Sequence, residues 1–234
     1  TRENLVPANS TVVSNFADWR NLMAFVADDE DSYHILTTES GANFVEEETG
    51  LINFDKIYLD AYQQVSSAGE QRYPEVNQAI EHRIKKGSLV FTYVGHSGVK
   101  GWAHERILDL QTINNWDNQY NQPILITMGC EFGWYDRSVV SPSELAFLNP
   151  IGGATGLITT SRVAFSLSNK TYSDYLFKNI MKKFDNRYQT LGELNKTAKN
   201  SAGGASNTLN MIYTIGDPAM KLAIPTFSVV TDSI

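Results

Sequence analysis

The chain has a single cysteine, Cys130, in 234 residues. An internal disulfide is therefore excluded, as is any metal site built from several thiolates. The compartment stays open, since many exported bacterial proteins have no disulfide. No run of lysine and arginine occurs, and the formal net charge is −7. Without a basic cluster to displace phosphate counterions, no nucleic-acid partner is expected. No apolar stretch approaches the ~20 residues of a membrane-spanning helix. Residues Thr1 to Ser10 contain no apolar signal core, so the chain reads either as cytoplasmic or as a mature or excised piece. No internal repeat is apparent. His34, His82, His96 and His104 lack zinc-ligand spacing. The acids Asp28 to Asp31 lack the spacing of an EF-hand loop.

What is present is an ordinary hydrophobic share, 42%, in a chain long enough to bury a sizeable core. Leu22 to Ala27 reads as a buried strand stopped by Asp28-Asp29-Glu30-Asp31, and Lys56 to Leu59 as a second, ending at Asp60. Pro74 to Lys86 has Val76, Ile80 and Ile84 at helical spacing, with Gly87 placed for a C-terminal cap. Trp102 to Trp116 is expected to be a crossover helix with Ile107, Leu110 and Trp116 inward. Ser141-Pro142-Ser143-Glu144 is a capping box with proline at the first helical position, and the helix should end near Asn149-Pro150. Gly156 to Thr160 is another buried strand. Thr171 and Asp174 are expected to open a helix whose Tyr172, Leu176, Ile180 and Phe184 share a face; Thr190 and Glu193 open one more. Met220 to Ile234 is β-like. Apolar strands alternating with amphipathic helices predict an α/β fold, a mostly parallel sheet with helices on both faces. Its site should lie at the carboxyl ends of the strands, where Asp28, Asp29, Asp60, His96 and Cys130 fall.

Two of those loops share one design. Ile124 to Met128 runs into Gly129-Cys130, and Leu89 to Val94 runs into Gly95-His96. A right-handed strand–helix–strand unit brings both loops to one edge of a sheet on neighbouring strands. A thiol and an imidazole would then face each other, as a cysteine nucleophile and its base require. Taken alone, a cysteine at a strand end is usually a small buried hydrophobe; the joint placement raises both residues. Backbone N–H groups of Ser97, Gly98 and Cys130 are candidates for an oxyanion hole.

Rival motifs fail on detail. Gly95-His96-Ser97-Gly98-Val99 has its second glycine one place too early for a serine elbow. Gly152-Gly153-Ala154-Thr155-Gly156 precedes a strand, whereas a dinucleotide loop follows one.

Tyr93-Val94-Gly95-His96-Ser97-Gly98, Gly129-Cys130-Glu131-Phe132-Gly133, Asn149 to Ala154 and Thr160-Ser161-Arg162-Val163, in that order, resemble the gingipain-like cysteine peptidase family. Trp102-Ala103-His104-Glu105-Arg106 and Gly216 to Leu222 are most similar to its PorU branch, the sortases of type IX secretion. The resemblance runs from about Trp19 to Leu222. It implies a caspase–haemoglobinase-like three-layer sandwich with a mostly parallel central sheet. It also implies a His96–Cys130 dyad, with Asp28 and Asp29 as positional candidates for a carboxylate that orients the histidine. On this resemblance residues 1–234 form a single peptidase domain excised from a longer protein, with 223–234 opening a linker or a following β domain. The branch acts at the outer surface of diderm bacteria. It removes C-terminal secretion signals from cargo and can join the new end to an anionic lipopolysaccharide; other type IX components are further expected partners. No cofactor is expected, with room left for a structural calcium ion. A secreted digestive protease and an inactive binding scaffold of the same fold are the alternatives. For substrate binding, Glu131 is available as a pocket acid. Arg162 either walls the pocket against basic side chains or pairs with one of the many acids. Where the family commonly has glycine after the histidine, this chain has Ser97, which a positive φ would strain.

Overall fold

The computed structural model describes residues 17–67, 70–204 and 207–225. Its central sheet has six strands: β1 (Leu22–Ala27), β2 (Asn53–Tyr58), β3 (Val90–Val94), β4 (Ile124–Met128), β5 (Gly156–Thr160) and β6 (Ile212–Ile215). They lie in the order β6-β5-β4-β3-β1-β2. All neighbours are parallel except β6, which runs antiparallel to β5 at one edge. Among the described residues seven α-helices flank the sheet: α1 (Ser32–Glu48), α2 (Pro74–Lys86), α3 (Leu110–Asn114), α4 (Pro142–Leu148), α5 (Ser166–Ile180), α6 (Leu191–Ser201) and α7 (Asn207–Met211).

Successive strand residues point to opposite faces, so each apolar strand feeds two cores. Phe25, Val90 and Ile126 join Val45 of α1 and Tyr172, Leu176 and Phe177 of α5 on one face. Ala24, Val26, Phe91, Tyr93 and Leu125 join Val76, Ile80 and Ile84 of α2 on the other. This is the α/β sandwich expected of strands buried on both sides. A Cβ at Gly41 of α1 would meet the ring of Phe177, which explains a glycine inside a helix despite its entropic cost.

Several elements fall where the pattern predicts. α2 spans Pro74–Lys86 and Gly87 follows with φ 86°. The boxes at Ser141 and Thr190 are both closed reciprocally by Glu144 and Glu193. Others differ. Only Leu110–Asn114 of the expected crossover helix is helical; Gly101–Trp102 and Leu108–Asp109 form a small antiparallel sheet with Ser97–Gly98. Buried Trp102 stacks on Tyr93, ring centroids 4.4 Å apart, so this segment packs as a cover over the sheet. α5 begins at Ser166, ahead of Thr171, and Asp174 pairs with Lys170 at 2.7 Å. Phe184 leaves the helix for a short hairpin, Lys183–Phe184 with Arg187–Tyr188. Of the β-like tail, Lys221 makes one bridge to Thr190, and residues 226–234 lie outside the described residues, as do residues 1–16.

Candidate active site

β3 and β4 pair in register, with Val94 opposite Met128. His96 and Cys130 each sit two residues beyond that pair, so the topology brings them out at one edge on adjacent strands.

The histidine loop is caged by side chains. Buried Asp28, at the end of β1, receives the backbone N–H of His96 on Oδ2 at 2.8 Å. The Tyr93 hydroxyl donates to the His96 carbonyl at 2.6 Å and lies 3.2 Å from the same Asp28 oxygen. A Cβ at Gly95 would collide with both Asp28 and Tyr93. Asp28 thus holds the backbone of His96, and the carboxylate at the ring belongs to Glu30, whose Oε2 lies 3.3 Å from His96 Nε2. Asp29 faces Tyr73, accepting its hydroxyl at 2.5 Å. The positional candidates Asp28 and Asp29 are therefore supplemented by a residue of the same acidic run that the sequence did not single out. The run turns at once: Asp28 still donates its N–H to Val94 as a strand residue would, and Asp31 already caps α1.

Two more imidazoles flank His96. His104 stacks on it, centroids 5.4 Å apart at 11°, and its Nδ1 lies 3.2 Å from Glu30 Oε1. His34 meets its edge at 5.3 Å and 87°. Burial pushes the His34 imidazole below its ordinary value, which favours the neutral ring. The Glu30 carboxylate raises that of His104. Burial also pushes the carboxyls of Asp28 and Glu105 upward. Asp28, Asp29 and Glu105 each offer an oxygen within 4.8 Å of the others; hard carboxylate donors of that kind suit calcium chemistry.

The cysteine loop is held by backbone groups and two hydroxyls. Cys130 Sγ receives the Ala164 N–H at 3.4 Å and lies 3.6 Å from the Ala164 carbonyl. Ser97 Oγ donates to the Cys130 carbonyl at 2.8 Å, tying the two loops together. Neither Ser97 nor Gly98 has a positive φ, so serine carries no strain there. The positive φ falls on Glu131, at 56°, whose N–H reaches Arg162 O at 3.3 Å. Thr160 Oγ1 donates to Gly129 O at 2.5 Å, and the loop after β5 thereby braces the loop after β4.

A cavity of about 340 Å³ opens between His96 and Glu131, floored by residues 97–104 and Arg106. A larger one, about 450 Å³, lies between α2 and α3 and contains none of these residues. Arg162 is engaged with Asp136 at 2.6 Å and lies over the Trp134 ring; of its two expected roles, this is the ion pair. Phe132 is core, whereas Tyr135 is exposed.

The model of peptidase family C25 matches residues 8–223. The chain belongs to that family. Among solved structures, the Arg-specific cysteine proteinase gingipain R (RgpB) superposes with a TM-score of 0.71 at 15% identity, covering 91% of this chain and 50% of that one. The complex of Porphyromonas gingivalis RgpB pro- and mature domains gives 0.68 at 16% identity, over 95% and 52%. The Saccharomyces cerevisiae separase–securin complex gives 0.54 at 11% identity, over 84% and 12%. No curated protein sequence matches. At these identities the structural matches establish the fold, gingipain/caspase-like with a mostly parallel sheet. The chain spans about half the length of the gingipain chains it matches.

Proposed function

We propose that this family C25 domain is a cysteine endopeptidase in which Cys130 is the nucleophile, His96 the base and Glu30 the carboxylate that orients the imidazole. The observation that carries this reading is the register-matched emergence of Gly95-His96 and Gly129-Cys130 from β3 and β4, with a carboxylate on the ring. His96 takes the thiol proton, the thiolate attacks a peptide carbonyl, and the departing amine takes the proton from His96. The Cys130 N–H makes no hydrogen bond to another described residue, which leaves it available to a developing oxyanion. Either water or an amine then resolves the thioester.

For the finer role we propose a cell-surface sortase of the PorU kind, which cleaves C-terminal secretion signals from type IX cargo and passes the acyl group to an amine of an anionic lipopolysaccharide. The motifs at Trp102–Arg106 and Gly216–Leu222 support it. So does the cavity beside His96, whose charged lining includes Lys100 and Arg106 and only one acid, Glu131, a poor match to an arginine side chain. The test supplies a peptide bearing a secretion signal together with amine acceptors and reads products by mass spectrometry. Acyl transfer to the amine is expected. Hydrolysis alone, at every acceptor concentration and in the full-length protein, would leave a plain secreted protease. No cleavage by a chain whose Cys130 is also inert to alkylation would leave a binding scaffold.

A further inference from the structure

The segment that touches the catalytic sulfur carries an apolar surface the mechanism does not use. Ala164 is the residue whose backbone meets Cys130 Sγ. Its neighbours Val163 and Phe165 are 57% and 70% exposed, and Leu167 on the first turn of α5 is 63% exposed. Ser166, between them, donates to Asp31 Oδ2 at 2.9 Å. That bond anchors the ridge to the start of α1, where Tyr33 and Leu36 are also exposed. The charges alongside are already engaged. Asp31 also caps α1 through the Tyr33 N–H at 3.0 Å, and Arg162, the only cation of the segment, is paired with Asp136.

Apolar side chains exposed side by side, rather than singly, mark interaction or ligand-binding surfaces. This one has a defined visitor. A peptide whose carbonyl carbon comes within bonding approach of Cys130 Sγ is brought close to residues 163–165, because the sulfur lies 3.4 Å from the Ala164 N–H nitrogen and 3.6 Å from its carbonyl oxygen. A side chain next to the attacked carbonyl has this ridge within reach, and burial of apolar surface there would lower the energy of the bound state.

We propose that Val163, Phe165 and Leu167, with Tyr33 and Leu36 beside them, seat a bulky apolar side chain of the substrate adjacent to the bond that Cys130 attacks. The proposal rests on the cysteine peptidase reading above and names its substrate class: peptides apolar at the cleavage point.

The test uses the full chain and peptidyl chloromethyl ketones that differ only in the residue bearing the reacting carbonyl: Phe, Leu, Ser, Asp or Lys. In each case the Cys130 thiolate displaces chloride and forms a thioether, so the alkylation rate reads how well that side chain is seated. Iodoacetamide, too small to span the ridge, is the internal reference. Relative to it, the Phe and Leu reagents are expected to react at least about tenfold faster than the others. Phe165→Ser and Leu167→Ser, both at exposed positions, should each reduce that advantage severalfold. Equal relative rates for all five reagents, or an advantage untouched by both variants, overturns the proposal while leaving the peptidase reading in place. A wild-type dimer in sedimentation that Phe165→Ser dissolves reassigns the ridge to a second copy and overturns it as well. A Cys130 inert to iodoacetamide overturns the peptidase reading, and this proposal with it.

Discussion

The loops after β3 and β4 begin alike, with glycine and then a reactive residue, and are held in opposite ways. Around His96 the contacts come from side chains: Asp28, Glu30 and His34 from a distant part of the chain, Tyr93 and His104 from nearby. Around Cys130 the sulfur and the next N–H meet backbone, of Ala164 and Arg162, and side chains reach only the loop carbonyls, through the hydroxyls of Ser97 and Thr160. The difference follows from what each group must do. An imidazole has to be oriented and its protonation controlled, which calls for carboxylates and ring neighbours. A thiolate needs room to attack and donors for the oxyanion, which backbone N–H groups supply. A sequence change should thus act on the histidine side through particular side chains and on the cysteine side through chain geometry.

The largest expected effect breaks that contrast at the sulfur. Cys130→Ala should abolish peptide cleavage while the melting temperature stays close to wild type, because the sulfur's contacts are long and few. Persistent cleavage by the variant would refute the dyad.

Next is the division of labour between two carboxylates of one loop. Glu30→Gln keeps the size but loses the charge at the ring, and should lower kcat by about a hundredfold with little change in urea midpoint. Asp28→Ala strips the His96 N–H of its acceptor in a buried place and should cost about 1–3 kcal/mol in urea unfolding. A large stability loss for Glu30→Gln and none for Asp28→Ala would reverse the assignment.

Smaller effects test the backbone side. Gly129→Ala would drive a Cβ into Ser97 and the Gly95 carbonyl, an overpacking worth about 1–3 kcal/mol. Ser97→Ala removes only the bond to the Cys130 carbonyl, about 0.5–1.5 kcal/mol. Measuring both singles and the double variant reports how far the two loops are coupled.

The smallest concerns His104. Its imidazole is raised by Glu30, so the folded state binds that proton more tightly than the unfolded chain does. The contribution to stability is present in full below the ordinary histidine value of 6.5 and is lost as pH rises through the higher folded value. His104→Gln should therefore lower the melting temperature slightly at pH 5.5 and leave it unchanged at pH 9. Equal shifts at both pH values would show that stacking on His96, and not charge, is what His104 contributes.

Much of this molecule was legible locally. Short, mostly apolar runs announced β1, β3, β4 and β5, and reciprocal caps announced α4 and α6. The pairing of Gly95-His96 with Gly129-Cys130 could be read because parallel strands joined by right-handed crossovers leave little freedom in where their ends emerge. α1 escaped notice because its buried face is built from Thr37, Thr38, Gly41 and His34, not from a periodic apolar stripe. The spacing of Ile107, Leu110 and Trp116 suggests a helix from Trp102 onward, but the stacking of Trp102 on Tyr93 and Phe91 outweighs that local preference over residues 102–109. β6 is short and partly exposed, and pairs with a strand far away in sequence. Which acid of Asp28 to Asp31 meets the imidazole depends on how the chain turns from β1 into α1, and composition cannot carry that. By itself the sequence determined the parallel strands β1, β3, β4 and β5, several of the helices between them, and the placement of His96 and Cys130 at neighbouring strand ends, since these follow from short-range pattern and crossover topology. Only the tertiary structure decided that Glu30 lies against the His96 ring, that Ala164 meets the sulfur and that exposed apolar side chains flank Ala164, because each depends on contacts between segments that become neighbours only in the folded chain.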